Sequence, residues 1–308
     1  MKNSRLGAIA LVVAALLFSV DGLLRVYLYV LPAPVIVFYE HAMGFFVLLP
    51  FVLGSLQEYR KLSRKQWLAI TGVALLSGAV GTILYTAALS RVEFIPFSVV
   101  VLLQQLNPVF AIGASSLLLR EPLGKRFLGL ATVALVAAYF VSFPSGLVNL
   151  STGNGTLLAA LFAIGAAAAW GTSTVFSKYA LNGTSAVHIT ALRFGITPFF
   201  ALIFVALSGN LHTLDTITFR QLEYLLAITF STGMVALLLY YFGLKQVLAS
   251  RAALLELAWP VSALVVGWIW LHQSLSGSQA VAGLVLTGAI YLIARDGGSH
   301  SDDSSTNE

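Results

Sequence analysis

Long apolar runs alternate along the chain with short polar or turn-forming segments. A transmembrane helix needs about 20 mostly apolar residues, whereas a membrane-spanning β-strand would alternate apolar and polar positions. The runs are continuous rather than alternating, so they predict helices. Ten spans are predicted, at 6–30, 35–56, 67–89, 94–119, 127–143, 156–179, 186–207, 222–244, 252–271 and 278–294.

The composition places the chain in a lipid bilayer. Its 308 residues are 58% hydrophobic and 9% charged, with a mean hydropathy of +0.91. Soluble domains are about 45–50% apolar and about 25% charged, so a soluble enzyme is excluded. The chain contains no Cys, which removes disulfide scaffolds and thiolate chemistry. A multi-pass protein of the inner or plasma membrane is therefore expected.

The basic residues predict the orientation in the membrane. Most of the 17 Lys and Arg residues fall in segments on the side of the N-terminus. Cytoplasmic loops accumulate Lys and Arg, so that side is predicted to be cytoplasmic, and an even number of spans returns the C-terminus to it. Because these residues are spread over short juxtamembrane loops, the net charge of +5 indicates topology rather than nucleic-acid binding. The Gly, Ser and Asp-rich tail at 297–308 is predicted to be disordered and cytoplasmic.

A weak internal repeat relates the two halves at an offset near 152 positions. Each copy contains five spans, and because five is odd, the second copy is inverted relative to the first. The predicted units are a first repeat at 1–145, an inter-repeat loop at 146–155 and a second repeat at 156–296. The matching positions are Phe18 with Trp170, His41 with Arg193, 85–92 with 240–247, 107–111 with 259–263, and 120–123 with 272–275.

This arrangement predicts an all-α membrane protein with ten transmembrane helices in two inverted five-helix repeats and both termini in the cytoplasm. Inverted repeats are typical of secondary transporters, in which exchange of conformation between the two copies exposes a central site to alternate sides. A complete pair of repeats in one chain is expected to function as a monomer.

The order of these features resembles the ten-helix, EamA-like members of the drug/metabolite transporter superfamily, over residues 5–295. The resemblance rests on Trp170-Gly171 followed by Lys178, Leu-Arg-Phe at 192–194, the two prolines Pro108 and Pro260, and Arg-Glu-Pro-Leu at 120–123. It implies 5+5 inverted repeats, cytoplasmic termini and a central cavity lined by helices of both halves. It also implies transport of amino acids, other small metabolites or drugs, often outward.

Ionisable residues inside the first two spans require an explanation, because each costs about 2.5–3.5 kcal/mol on insertion scales. Asp21 and Arg25 are four residues apart on one helical face. They predict either a local ion pair near the outer interface or a gating or substrate contact. Glu40 and His41 are adjacent, about 100° apart on a helix, so they are not expected to face one narrow cavity together. They predict proton transfer, or for His41 a hydrogen bond to a neighbouring helix.

The fourth and ninth spans carry polar groups next to a proline. Glu256 precedes Trp259 and Pro260, and the proline is expected to free a backbone carbonyl beside the acid. Glu256 is predicted to line the cavity, the alternative being an ion pair with Arg193. Three amides before Pro108 exceed what helix packing needs, so at least one is expected to contact substrate. These amides are Gln104, Gln105 and Asn107.

Arg193 and several aromatic residues complete the candidate site. Arg193 is predicted to anchor a carboxylate or else to extend toward the cytoplasmic interface. Trp170, Tyr85, Tyr241 and Trp259 lie in the interior parts of their spans. They are predicted either to stack on a ligand or to pack one helix on another.

These observations predict a secondary transporter for a small metabolite. The expected solute is an amino acid or a similar zwitterionic or cationic molecule, with export as the expected direction and a proton gradient as a candidate energy source. The sequence has no enzyme motif, and no cofactor or metal is expected. The alternatives are an exporter of drugs or lipophilic cations, a membrane-embedded enzyme acting on a lipid-linked substrate, and a channel or receptor subunit.

Overall fold

A computed structural model of the chain describes residues 2–91, 100, 103–142, 145–146, 154–262, 265 and 276–296. Within these residues the regular structure is helical, with no strand. The helices are α1 (Lys2–Arg25), α2 (Ala33–Gly54), α3 (Leu56–Arg60), α4 (Arg64–Leu89), α5 (Asn107–Leu119), α6 (Lys125–Ser142), α7 (Asn154–Ala180), α8 (Ala186–Leu207), α9 (Phe219–Gln246), α10 (Ala249–Leu255) and α11 (Gly277–Asp296).

Seven of the described helices are long and apolar enough to cross a membrane, namely α1, α2, α4, α7, α8, α9 and α11. They coincide with the first three, the sixth to eighth and the tenth predicted spans. The fifth predicted span is represented by α6. Parts of the fourth and ninth spans, and the tail at 297–308, lie outside the described residues. The total of ten spans and the placement of the termini remain predictions.

The helix ends follow from local polar residues. Ser63 and Gln66 form a capping box at the start of α4, in which the Gln66 N–H donates to Ser63 Oγ at 3.2 Å. Thr218 and Gln221 form the same structure at the start of α9. The turn after α8 contains Gly209 at a φ of +72°, a conformation that glycine adopts without steric cost. The polar segments between the apolar runs therefore end one helix and begin the next.

The fourth and ninth predicted spans are each interrupted by a two-residue turn within the described residues. Helical structure stops at residues 105–106 and resumes in α5, and it stops again at residues 256–257 after α10 and resumes at 258–262. The cause is the same in both places. Pro108 and Pro260 have no N–H to donate to the carbonyl four residues earlier, so the preceding turn departs from α-helical geometry.

Helix packing repeats when the two halves are exchanged. α1 packs on α9 in the way that α4 packs on α7, while α2 packs on α8 and α6 packs on α11. Two π-helical segments, Ala74–Gly81 within α4 and Thr229–Val235 within α9, also correspond to each other. π-helical turns are frequent at functional sites, and the two segments face the same interior space.

Candidate functional site

A central cavity of about 200 Å³ lies where the helices of the two halves meet. Side chains from α1, α2, α4, α5, α7, α8 and α9 line it, together with residues at both interrupted spans. Eleven of the twelve site residues expected from the sequence line this one cavity. They are Asp21, Glu40, His41, Tyr85, Gln104, Gln105, Asn107, Trp170, Arg193, Glu256 and Trp259.

Tyr241 is the twelfth, and it lies behind the lining rather than in it. Its side chain is fully buried. Arg193 Nη1 donates to the Tyr241 hydroxyl at 3.1 Å, and Ser177 Oγ donates to the same oxygen at 3.4 Å. Tyr241 therefore positions two cavity residues and does not present its ring to the cavity.

Three charged side chains form what we term the ion cluster, Asp21, Arg25 and Glu40. Arg25 Nε donates to Asp21, and Arg25 Nη2 donates to Glu40 Oε2 at 2.8 Å. Thr86 accepts a weaker bond from Arg25 Nη1 at 3.4 Å, and Thr232 donates to the second Asp21 oxygen at 2.6 Å. The cluster thus ties α1, α2, α4 and α9 together around one guanidinium.

The ion cluster is buried, although a pair near the outer interface was one expectation. Arg25 is 3% exposed and Glu40 is 4% exposed. Two carboxylates and one guanidinium leave a formal charge of −1 where water is scarce, and removing one partner from such a group is strongly destabilising. The described residues contain no group of three or more acidic or histidine side chains able to hold a metal ion.

Glu40 and His41 both line the cavity, so the expectation that they could not share it was wrong. The cavity is wide enough for the side chains of two consecutive residues of α2 to line it. His41 Nδ1 lies 3.0 Å from the Val37 carbonyl of its own helix, so this nitrogen does not make the hydrogen bond to a neighbouring helix that was one of the two expectations. A carbonyl only accepts, so Nδ1 carries the proton. The imidazole also packs on Phe194 of α8, with 4.9 Å between ring centroids.

A second polar group, which we term the hydroxyl cluster, consists of Ser173, Thr174, Ser177, Tyr240 and Tyr241. Ser173 Oγ donates to the Trp170 carbonyl at 2.9 Å, and Thr174 Oγ1 lies 3.1 Å from the Tyr240 hydroxyl. Arg193 adjoins the cluster through Tyr241, and its Nε has no hydrogen-bond partner within the described residues. Four of the five members line the cavity.

The interrupted spans bring three buried oxygen atoms without a hydrogen-bond partner to the cavity. These are Gln104 Oε1, Asn107 Oδ1 and Glu256 Oε1, counted among the described residues. Gln104 is held in place because its Nε2 donates to the Ala163 carbonyl at 2.7 Å. A buried acceptor left unpaired costs about 1–3 kcal/mol, so three together are typical of a site that completes its hydrogen bonds with a ligand.

Glu256 does not form the ion pair with Arg193 that the sequence allowed. None of the ion pairs among the described residues involves it, and Arg193 bonds instead to Tyr241. Pro260 was expected to free the backbone carbonyl of Glu256. That carbonyl instead accepts a hydrogen bond from the Trp259 N–H at 2.9 Å. The Tyr240 hydroxyl lies beside the carboxyl group. A buried carboxyl without a cation needs a proton or a polar ligand in its place.

Aromatic rings form the apolar walls. Tyr85 and Trp170 lie 5.1 Å apart between centroids, and Phe18 meets Tyr240 edge to face at 6.4 Å. Trp170 Nε1 donates at 3.1 Å to the Ser77 carbonyl in the π-helical segment of α4, which fixes the indole orientation. Trp259 joins these rings in the lining. The cavity therefore combines flat apolar surfaces with hydrogen-bond acceptors.

Glu121, noted in the sequence only as part of the motif at 120–123, connects the halves at one end of the bundle. Arg120 ends α5 in a left-handed conformation with φ of +55°, and this turns the next residue toward α10. Glu121 accepts from the Ala249 N–H at 2.7 Å, the Ser250 N–H at 3.0 Å and the Ser250 hydroxyl at 2.6 Å. A carboxylate at a helix N-terminus satisfies unpaired N–H groups and the helix dipole.

The residues that sequence reasoning missed are small hydroxyls inside apolar helices. Thr86, Ser173, Thr174, Ser177 and Thr232 are buried around the cavity. A signal for two of them was present, since Ser173 and Ser177 stand 152 positions after Asp21 and Arg25. Ser and Thr hydroxyls can donate hydrogen bonds to backbone carbonyls of their own helix, and they carry no charge. Their presence in an apolar run therefore does not by itself predict a functional role.

Comparison with known proteins agrees with this architecture. The EamA-like transporter family matches twice, at residues 5–143 and 157–295. The riboflavin transporter ImpX of Fusobacterium nucleatum is 31% identical over 303 residues, covering 96% of this chain and 99% of that protein. An uncharacterized transporter of Synechocystis is 29% identical over 260 residues, covering 81% and 72%. A crystal structure with a TM-score of 0.72 and 17% identity covers 94% of this chain and 98% of its own, which shows a shared fold. The chain is a multi-pass membrane protein that belongs to the EamA-like transporter family.

Proposed function

We propose that the protein is a secondary transporter that moves a small metabolite by alternating access. The carrying observation is the polar cavity at the meeting point of the two halves, lined by both interrupted spans. Interrupted helices at a central site are the usual way in which transporters present polar groups at membrane depth. In this proposal the units that move are the repeats at 1–145 and 156–296, and one chain suffices.

The proposed substrate is riboflavin or a related uncharged heteroaromatic metabolite. A flavin offers a flat fused ring for stacking and an imide N–H for donation. The cavity supplies rings from Tyr85, Trp170 and Trp259, and unpaired acceptors on Gln104 and Asn107. The 31% identity to a riboflavin transporter over nearly the whole chain supports the same class. This replaces a free amino acid as the first candidate.

The cavity has to widen to take such a molecule. Pockets that enclose drug-sized ligands measure about 300–1,000 Å³, compared with about 200 Å³ here. Movement of one repeat against the other would widen the cavity. Export, expected from the family resemblance, stays a prediction, because alternating access is reversible and the gradient sets the direction.

The test is counterflow in proteoliposomes preloaded with unlabelled riboflavin. We expect saturable entry of labelled riboflavin, competition by lumiflavin and no competition by amino acids. Trp170→Leu should lower the rate at least tenfold, because a stacking wall is lost. Trp67→Leu is the matched control, since that indole is partly exposed and does not line the cavity. Folded protein without riboflavin counterflow would contradict the proposal.

An amino acid is the second candidate, carried by one observation. Glu256 and Arg193 both line the cavity, and each keeps a buried polar atom without a partner among the described residues. An ammonium group and a carboxylate would satisfy them as a pair. Counterflow of a labelled amino acid that riboflavin does not inhibit would favour this candidate over the first.

A further inference from the structure

Two places in the cavity correspond when the halves are exchanged. Asp21 and Arg25 of α1 stand 152 positions before Ser173 and Ser177 of α7, and Thr86 stands 155 positions before Tyr241. The contacts correspond as well. Arg25 bonds to Thr86 at 3.4 Å, and Ser177 bonds to Tyr241 at 3.4 Å. Asp21 and Arg25 of the ion cluster are therefore at positions equivalent to Ser173 and Ser177 of the hydroxyl cluster.

The ion cluster uses its hydrogen-bonding capacity internally. All three nitrogens of Arg25 donate to protein oxygens, and both oxygens of Asp21 accept, one from Arg25 and one from Thr232. A solute at this position would have to break bonds between buried charges. The ion cluster itself therefore offers a neutral ligand few free hydrogen-bonding groups.

The hydroxyl cluster keeps capacity for a partner. A serine hydroxyl that donates one hydrogen bond still has acceptor lone pairs, and both Ser173 and Ser177 donate. Arg193 adds a cationic donor, since its Nε is unpaired among the described residues. Several acceptors beside one donor match a chain of neighbouring hydroxyls, in which every group both donates and accepts.

We propose that the hydroxyl cluster with Arg193 is the subsite for the polyhydroxylated chain of the solute, and that it makes the transporter specific for flavins that carry such a chain. The inference rests on the proposed function and adds an orientation to it. The ribityl chain lies against α7 and α8, and the ring lies between the aromatic walls and the interrupted spans.

A neutral polyol fits this position better than a phosphate. Arg193 is the cation of the cavity lining that no carboxylate pairs with among the described residues, and the ion cluster carries a formal −1 in the same cavity. Multiply charged phosphate normally meets several donors and cations. The subsite is therefore expected to favour riboflavin over its phosphorylated form.

The experiment compares riboflavin with lumiflavin, which has the same ring and a methyl group in place of the ribityl chain. Dissociation constants are measured by flavin fluorescence on purified protein in nanodiscs. The wild type should bind riboflavin at least tenfold more tightly. Ser177→Ala and Thr174→Val should each weaken riboflavin binding about three- to tenfold, as expected for one hydrogen bond, and leave lumiflavin binding unchanged.

Thr172→Val is the matched control, because Thr172 lies on the same helix and does not line the cavity. It should leave both dissociation constants unchanged. Equal losses for both flavins, or no loss for riboflavin, would overturn the subsite while leaving flavin transport standing. A wild type that binds neither flavin would overturn the proposed substrate, and the subsite with it.

Discussion

The ion cluster and the hydroxyl cluster occupy equivalent positions in the two repeats, yet their chemistry differs. One holds two carboxylates around Arg25, and the other holds hydroxyls beside Arg193. Two positions on the first helix of each repeat and one contact to its third helix are shared, while the side chains differ in charge. The difference teaches that an inverted repeat can keep a geometry while the side chains at equivalent positions change their chemistry.

Charge makes the comparison sharper. The ion cluster is formally −1, whereas the arginine beside the hydroxyl cluster is +1. A neutral but polar molecule lying between them would be oriented by both.

The largest expected effect comes from breaking the ion cluster. Arg25→Met leaves two buried carboxylates without a cation, and we expect a loss of about 3–5 kcal/mol, seen as a large drop in melting temperature in detergent. Lys61→Ala removes an exposed ion pair with Glu58 and should leave the melting temperature unchanged.

A triple variant that removes all three charges of the ion cluster distinguishes the effect of charge on stability from the effect of packing. Arg25→Met combined with Asp21→Asn and Glu40→Gln should recover much of the lost stability, because no unpaired charge remains. If the triple variant melts as low as the single one, the cluster stabilises through shape and not through its ion pairs.

The next effect concerns the crossing of α2 and α8, the second spans of the two repeats. α2 and α8 cross at Gly44, where a Cβ atom would lie 2.2 Å from the Phe194 ring, and at Gly195, where it would lie 2.8 Å from the Phe45 ring. Phe194 is buried and cannot yield, whereas Phe45 is only partly buried. Gly44→Ala should cost about 1–3 kcal/mol, and Gly195→Ala less.

Gly129→Ala in α6 is the control, because no atom lies within 4 Å of the added carbon. It should be neutral or slightly stabilising, since alanine is the better helix former. Equal melting temperatures for the Gly44 and Gly129 variants would show that the crossing of α2 and α8 is looser than described.

The smallest effect compares the interrupted spans. Gln104 and Glu256 stand 152 positions apart, and each has an unpaired oxygen. Glu256→Gln should lower riboflavin counterflow about tenfold, or about 1.4 kcal/mol in the barrier, because one acceptor becomes a donor. Its melting temperature should not fall. Undiminished counterflow would remove Glu256 from the site, and Glu58→Gln on the exposed α3 serves as control.

Much of this fold could be predicted from hydrophobic runs alone. Seven helices coincide with predicted spans, because an apolar run of about 20 residues has one stable form in a bilayer. The breaks near Pro108 and Pro260 were predicted only in part, because the carbonyl expected to be freed by Pro260 marks a disturbed helix but not a two-residue turn. A proline marks where a helix loses a hydrogen bond, but only the structure shows whether the helix kinks or stops there.

The site was predictable in its residues but not in its pairing. Intramembrane charges stand out, so Asp21, Glu40 and Glu256 were identified. The partner of each depends on helices distant in sequence. Arg25 joins Glu40 as well as Asp21, and Arg193 bonds to Tyr241 rather than to Glu256. Local sequence spacing cannot give such contacts, and the signal for an uncharged hydroxyl such as Ser177 is confined to its equivalence with Arg25 in the internal repeat.

The most direct test of the account is an experimental structure of the protein with riboflavin bound. The account predicts that the ribityl chain contacts Ser177 and Arg193, that the ring lies against Trp170, and that Arg25 keeps its bonds to Asp21 and Glu40. A ribityl chain bonded to Arg25, or a flavin bound outside the central cavity, would contradict it.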